Sequence, residues 1–353
     1  MSGKRALISL RLNTTTSQIY RNSPGRIAFA QGNLLPAASP VSQDRQLVSQ
    51  ADEAQRQGHF DKAIDLYEKA LQINPDNTDI YLPIAKTYKF NFDYKNAIPY
   101  FEKAISINPD DIETRTLLGE SYKFDKQYQK AKIEFQKILD KKPNYDFAKR
   151  NLLDTDNLIM AQFNPVGAKY ARQQTAKRNL TEAVKLIYQF YPKSFLSKLK
   201  DVRVAFDKTA QMGGRSNIAQ YEHNARKISV TDDYIYADPQ LVAAYLAHEY
   251  IHAGDCDSYT SVREEQDAYR KQSQFWIENV KNVEDPEMDY VADLYRQSPD
   301  ALDKRVEEIY TLRDKGIPMT SYNHPPTTNK IAAMIPLSKH VNSQPIKKYD
   351  IIV

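Results

Sequence analysis

A mostly α chain of two folded units is predicted, an N-terminal α-solenoid of paired helices followed by a small α+β unit. Three observations lead there. Alanine, aromatic and proline positions recur every 34 residues through the first half. Short alternating segments fall between residues 201 and 231, and the run His248-Glu249-Tyr250-Ile251-His252 lies among helix signals. Length agrees, because 353 residues exceed what one hydrophobic core usually organises.

Residues 1–43 are expected as a disordered basic tail or targeting segment. Lys4, Arg5, Arg11, Arg21, Arg26 and Arg45 face Asp44 alone within the first fifty residues, whereas the whole chain carries only +4. Basicity is therefore a property of the tail, and no nucleic-acid surface is expected on either folded unit. The tail is rich in arginine, serine and threonine and resembles an organelle transit peptide; an overextended start or a plain disordered leader fits equally. No run is long or apolar enough for a secretory core or a membrane span, since Ala6 to Leu10 is interrupted by Arg11. A cytoplasmic or organelle-imported location is thus favoured over Sec secretion. Cys256 is alone, which excludes an intramolecular disulfide.

Residues 44–162 are expected to form three repeats and a capping helix. Ala63, Ala97 and Ala131 recur with Tyr67, Phe101 and Phe135 and with Pro75, Pro109 and Pro143. This is the signature of tetratricopeptide (TPR) repeats, in which alanines let paired helices approach, aromatics fill between them and each proline ends a pair. Leu118-Gly119 and Tyr88 or Tyr122 match first-helix positions, giving repeats at 44–77, 78–111 and 112–145. Asp146 to Gln162 would close the solenoid with Leu152, Leu153 and Ile159 as its apolar side. Such a solenoid docks a peptide or protein partner, or braces a neighbouring domain. Residues 163–180 are expected as a linker, with Asn164-Pro165-Val166-Gly167 and the basic stretch Lys169 to Lys177 as its hinge.

Residues 181–353 carry the chemistry. Asp201 to Phe206, Ser216 to Tyr221 and Lys227 to Thr231 read as strands, the last two around a His223-Asn224-Ala225 turn. Asp238-Pro239 then supplies an N-cap and a first-turn proline for a helix with Leu241, Ala244, Tyr245 and Ile251 as spaced apolar positions, and Gly254 offers its stop. On that helix H-E-x-x-H places His248 and His252 on one face, able to share one zinc ion, with Glu249 beside any water the ion binds. Extension to H-E-x-x-H-x-x-G-x-x-H is closed, because the glycine comes one residue early and Ser258 stands where the third histidine belongs. A carboxylate from a following helix is the alternative. Ser261-Val262-Arg263-Glu264 spells a capping box, and if Glu264 turns back onto the cap backbone, Glu265 is free to reach the metal. Ala268, Gln272 and Trp276 share its helix face.

His248 to His252, a short loop and then Glu265-Gln266-Asp267-Ala268-Tyr269 resembles the gluzincin peptidases, over roughly residues 181–285. The resemblance implies one Zn2+ per chain held by His248, His252 and Glu265, with Glu249 as general base of a zinc-dependent metalloendopeptidase. An endopeptidase is preferred because no G-x-M-E-N-like run precedes His248. It also implies that Ile228, Ser229 and Val230 line the cleft edge where peptide backbone docks. Many gluzincins carry an aspartate four residues after the third ligand to orient a histidine; Tyr269 stands there, leaving Asp255, Asp257, Asp267 or a backbone carbonyl for that task. His324, in Ser321-Tyr322-Asn323-His324-Pro325-Pro326, is either the oxyanion donor or part of a proline-pinned surface turn. Cys256 is either an additional thiolate at the metal or a loop residue.

Two helices are expected to complete the unit, Glu287 to Arg296 opened by Asp285-Pro286 and Ala301 to Asp314 capped by Ser298, the second with Val306, Ile309, Tyr310 and Leu312 buried. Two rival functions stay open: a non-catalytic TPR scaffold whose metal is structural, and hydrolysis of something other than peptides.

Overall fold

A computed structural model describes residues 43–75, 77–207, 218–255 and 261–313. Its contacts divide the chain into two compact units, one spanning Leu12–Asp140 and the other containing Lys141–Val353.

The first unit is built from helix pairs: α1 (Gln43–Arg56) with α2 (Phe60–Ile73), α3 (Tyr81–Phe90) with α4 (Tyr94–Ile107), and α5 (Ile112–Phe124) with α6 (Tyr128–Lys141). The repeat columns are its core. Ala63, Ala97 and Ala131 and the rings of Tyr67, Phe101 and Phe135 are all fully buried on the second helices of their pairs. Gly119 is small for the same reason as those alanines, since a Cβ there would lie 2.8 Å from the Phe135 ring. Polar bonds repeat too: the Tyr88 hydroxyl donates to Glu68 at 2.7 Å, and Tyr122 makes the equivalent bond to Glu102. Asp93 and Asp111 cap α4 and α5 by accepting the backbone N–H of Asn96 and Thr114.

One recurring feature carries backbone strain. Gly58, Phe92 and Lys126 occupy the same place in the turn between paired helices, and all three have positive φ, at 77°, 60° and 64°. Glycine takes that conformation freely, whereas a residue with a Cβ is destabilised there by about 1–2 kcal/mol.

The second unit begins with a helical hairpin, α7 (Asp146–Phe163) and α8 (Pro165–Phe190), then a short α9 (Lys193–Leu196). A three-stranded sheet follows, from β1 (Arg203–Asp207), β2 (Ala219–Glu222) and β3 (Lys227–Thr231) in the order β1-β3-β2. β3 runs parallel to β1 and antiparallel to β2, with Ile228 beside Val204 on one side and Tyr221 on the other. Helices α10 (Pro239–Gly254), α11 (Val262–Asn279), α12 (Pro286–Gln297) and α13 (Pro299–Arg313) complete it. α10 is the hub, packing on α8, α11 and β2. Every residue from Leu241 to Gly254 is buried, so the one-sided apolar pattern expected of this helix is replaced by contact on all faces.

Three expectations change. The stretch 163–180 is not a linker: Asn164 accepts the Gly167 N–H at 2.9 Å and Pro165 takes the first helical position, so residues read as a hinge are the cap that starts α8. Farther along the same helix, the buried Asn179 amide donates to the carbonyls of Ile235 and Ala237. α7 groups with the second unit rather than closing the repeats, and its buried side is not the expected apolar one. Ala148, Arg150, Asn151 and Thr155 are buried while Leu153 is exposed. Asp146 accepts the Asp238 N–H at 2.8 Å just ahead of α10, and its own N–H donates to the Glu284 carbonyl. Finally, Gly254 ends α10 without a left-handed cap; its small size admits the Phe195 ring, 2.7 Å from where a Cβ would sit. The strand, α12 and α13 expectations agree within a few residues, with Asp285 and Ser298 as the caps; the side chains of Tyr310 and Leu312 lie outside the described residues.

Lys126→Gly should raise the stability of the repeat unit by about 1 kcal/mol, because Lys126 is exposed and its turn already has the glycine conformation. Urea denaturation measures this; an unchanged or lowered midpoint would show that the turn is not strained.

Candidate metal centre

α10 and α11 pack against each other and bring three donor groups together. His248 and His252 lie one turn apart on α10, and Glu265 sits in the first turn of α11, whose N-cap Ser261 accepts the Glu264 N–H. All three side chains are buried. The Nε2 atoms of the two histidines are 3.2 Å apart, and the Glu265 carboxylate reaches His248 Nε2 at 3.4 Å and His252 Nε2 at 3.6 Å. Donors held about 2.0–2.2 Å from one tetrahedral ion lie roughly 3.3–3.6 Å from one another. The triangle formed here fits that spacing, and its donor set of two imidazoles and a carboxylate suits a divalent cation. His248, His252 and Glu265 could therefore hold a metal ion.

Electrostatics point the same way. Burial works against charge on the His252 ring, but the Glu265 and Glu264 carboxylates beside it outweigh burial and push its pKa up to about 10. Two carboxylates converging on one imidazole make this point suited to a positively charged occupant.

Glu264 is the residue whose task the sequence concealed. Its backbone N–H completes the Ser261 half of the capping box, yet its side chain does not return to the cap. It bonds His252 Nδ1 at 2.6 Å instead, fixing the ring so that Nε2 faces the other donors. For His252 the carboxylate stands immediately before the third ligand. Glu265 still arrives at the donor triangle, by a different route from the capping argument. His248 lacks the equivalent support: its buried Nδ1 has no hydrogen-bond partner among the described residues, and the Tyr269 ring packs edge-on against it at 4.5 Å.

Glu249 follows His248 on α10 and is buried as well. Its carboxylate accepts the backbone N–H of Tyr221 at 2.7 Å, which ties it to β2. That contact corrects the expected substrate edge. Ile228, Ser229 and Val230 belong to the central strand, covered by β1 and β2 on either side and buried, so they present no open edge. The edge strand packed on α10 is β2, which runs antiparallel to β3. His223 lies in the β2–β3 turn as expected. His324, Cys256 and Asp257 lie outside the described residues.

Glu265→Ala should abolish stoichiometric zinc binding, and Glu264→Ala should weaken it by about 10–100-fold while leaving the ligand set intact. Competition with a chromophoric chelator distinguishes them, and full zinc occupancy in Glu265→Ala would remove that residue from the site.

Comparison with known proteins bears on the repeats. A TPR repeat model matches residues 55–89, and a tetratricopeptide repeat model matches residues 78–111. No curated protein matches the chain. Among solved structures, the first TPR of Spaghetti (RPAP3) bound to HSP90 peptide SRMEEVD is 20% identical, over 33% of this chain and 93% of that one, with a TM-score of 0.30. The Sgt2 TPR domain from Aspergillus fumigatus is 27% identical over 35% and 83% of the two chains, with a TM-score of 0.30. MamA protein is 14% identical over 77% and 95%, also with a TM-score of 0.30. No described helix is long and apolar enough to cross a membrane. The chain carries tetratricopeptide repeats in its N-terminal half, matched from residue 55 to residue 111.

Proposed function

We propose that the second unit is a zinc-dependent metalloendopeptidase of gluzincin type and that the TPR repeats dock a protein partner or substrate. The convergence of His248, His252 and Glu265 into one buried donor triangle carries the catalytic part of this reading. Zinc bound there would lower the pKa of a water toward 7 and polarise the scissile carbonyl. Glu249 is the general base: it takes a proton from the attacking water and returns it to the departing amine. Glu264 keeps the His252 ring in the orientation that leaves Nε2 toward the cation. Extended peptide would lie along β2, the edge strand beside Glu249, where main-chain pairing binds with little regard for side chains.

A second reading has its own observation. Matches to repeat models cover residues 55–111, and helical repeats of this type act as interaction surfaces, so the chain also fits a scaffold whose metal only staples a small domain.

Glu249→Gln separates the two. It should lower zinc-dependent cleavage of casein or a peptide library by about 10²–10⁴-fold with zinc content unchanged. If the wild-type protein, loaded with zinc, cleaves nothing that a chelator can block, the scaffold reading stands and the peptidase reading falls.

A further inference from the structure

One backbone group of β2 faces two demands. The phase of the antiparallel ladder decides which main-chain groups of that strand point outward. The Thr231 N–H donates to the Ile218 carbonyl at 2.8 Å, so these residues form a hydrogen-bonded pair, and Gln220 with Ser229 and Glu222 with Lys227 follow in the same phase. Ala219 and Tyr221 fall between those pairs and turn their N–H and C=O groups away from β3, to the outer side of the edge strand. Tyr221 is only 5% exposed, and a buried N–H needs an acceptor. With no described strand on that side, the acceptor is the Glu249 carboxylate, at 2.7 Å.

A peptide that adds to β2 as a further strand calls on the same group. Pairing at this edge runs through the outward N–H and C=O of Ala219 and Tyr221, and an N–H directed at an incoming carbonyl no longer serves the carboxylate. The two acceptors differ in strength. A carboxylate holds an N–H more firmly than a neutral peptide carbonyl does, so Glu249 opposes pairing at Tyr221 and yields only when the other backbone bonds of the added strand form with it. Its departure takes little rearrangement: the Glu249 backbone is fixed within α10, but its side chain turns about three single bonds. The oxygen that Tyr221 held is then free to take a proton from water.

We propose that the Tyr221 N–H exchanges partners when substrate binds: an extended peptide displaces Glu249 from β2, and the base is released for proton transfer only where a strand has been added. This rests on the peptidase reading, which places peptide on β2 and makes Glu249 the base. Two measurements on the full chain, held in chelator so that nothing is cleaved, test the exchange. With isotope-labelled tyrosine, the Tyr221 amide is identified by its loss in Tyr221→Phe. In Glu249→Ala it should exchange with solvent at least about tenfold faster than in the wild type, with the other tyrosine amides of the second unit unchanged. Fluorescein-labelled casein, followed by anisotropy, should bind Glu249→Ala about tenfold more tightly than the wild type. Glu249→Gln should fall between them, because a neutral side-chain carbonyl still accepts the N–H but less firmly. Equal gains in the two variants would mean that loss of charge alone acts, and a bond that only braces α10 on β2 would give no gain. Either result, an unchanged exchange rate in Glu249→Ala, or casein that binds none of the three proteins overturns the proposal. Cleavage by the zinc-loaded wild type is scored separately. Casein that is cleaved but gains nothing from Glu249→Ala sinks the exchange and leaves the peptidase reading, whereas casein that gains as expected and is never cleaved does the reverse.

Discussion

Carboxylates buried between α10 and α11 have to be balanced by positive charge, and the second unit is organised around that requirement. Glu264 and Glu265 share this space with two imidazoles, and all four residues are buried. An isolated carboxylate in such a place would cost far more than the packing around it returns, so a proton or a metal cation must sit among them. The remainder of the unit supplies the enclosure. α8 lies along α10, and the Tyr191 hydroxyl just after α8 donates to the Ala247 carbonyl, one residue before His248. Phe195 fills the space at Gly254, and β2 takes hold of Glu249. These contacts leave the two histidines no freedom to turn away from the third donor.

The repeats are stabilised on another principle. Each helix pair brings its own alanine and its own ring, and a tyrosine–glutamate bond joins each pair to the next, so stability accumulates from similar units rather than from one dominant core. Each turn also has one left-handed residue, strained at Phe92 and Lys126 and unstrained at Gly58. Among the described residues of this unit, no group of histidines and carboxylates converges as it does between α10 and α11. The chain therefore divides its chemistry: repetition in one half, and in the other a buried pair of imidazoles with carboxylates around them.

Features written in local spacing were legible from sequence. The 34-residue columns place the buried alanines and rings, and an interval of four puts His248 and His252 on one side of a helix. Glu265 was reachable because helix-start chemistry marks where α11 begins. Features set by what packs against what were not. Strand order has no local signature, so β3 passed for an edge although β1 and β2 flank it. Asn164-Pro165 serves equally as a turn or as the cap of a helix, and only the long helix that follows decides between them. Glu264 could satisfy either a cap or an imidazole, and the buried ring outbids a solvent-facing backbone group for its carboxylate. Leu152 and Leu153 announced an apolar side for α7, yet Arg150 turned inward to meet Asp146 and the face of Tyr234.

Total enclosure of α10 limits how this protein can change over time. A surface helix offers substitutions on its wet side that leave its function alone, whereas here fourteen successive positions, Leu241 to Gly254, each fit against a neighbour. Drift is channelled into the repeats, where exchanges on exposed faces are tolerated and whole units can be gained or lost. Substitution in the second unit is for this reason most restricted along the sixteen residues of α10.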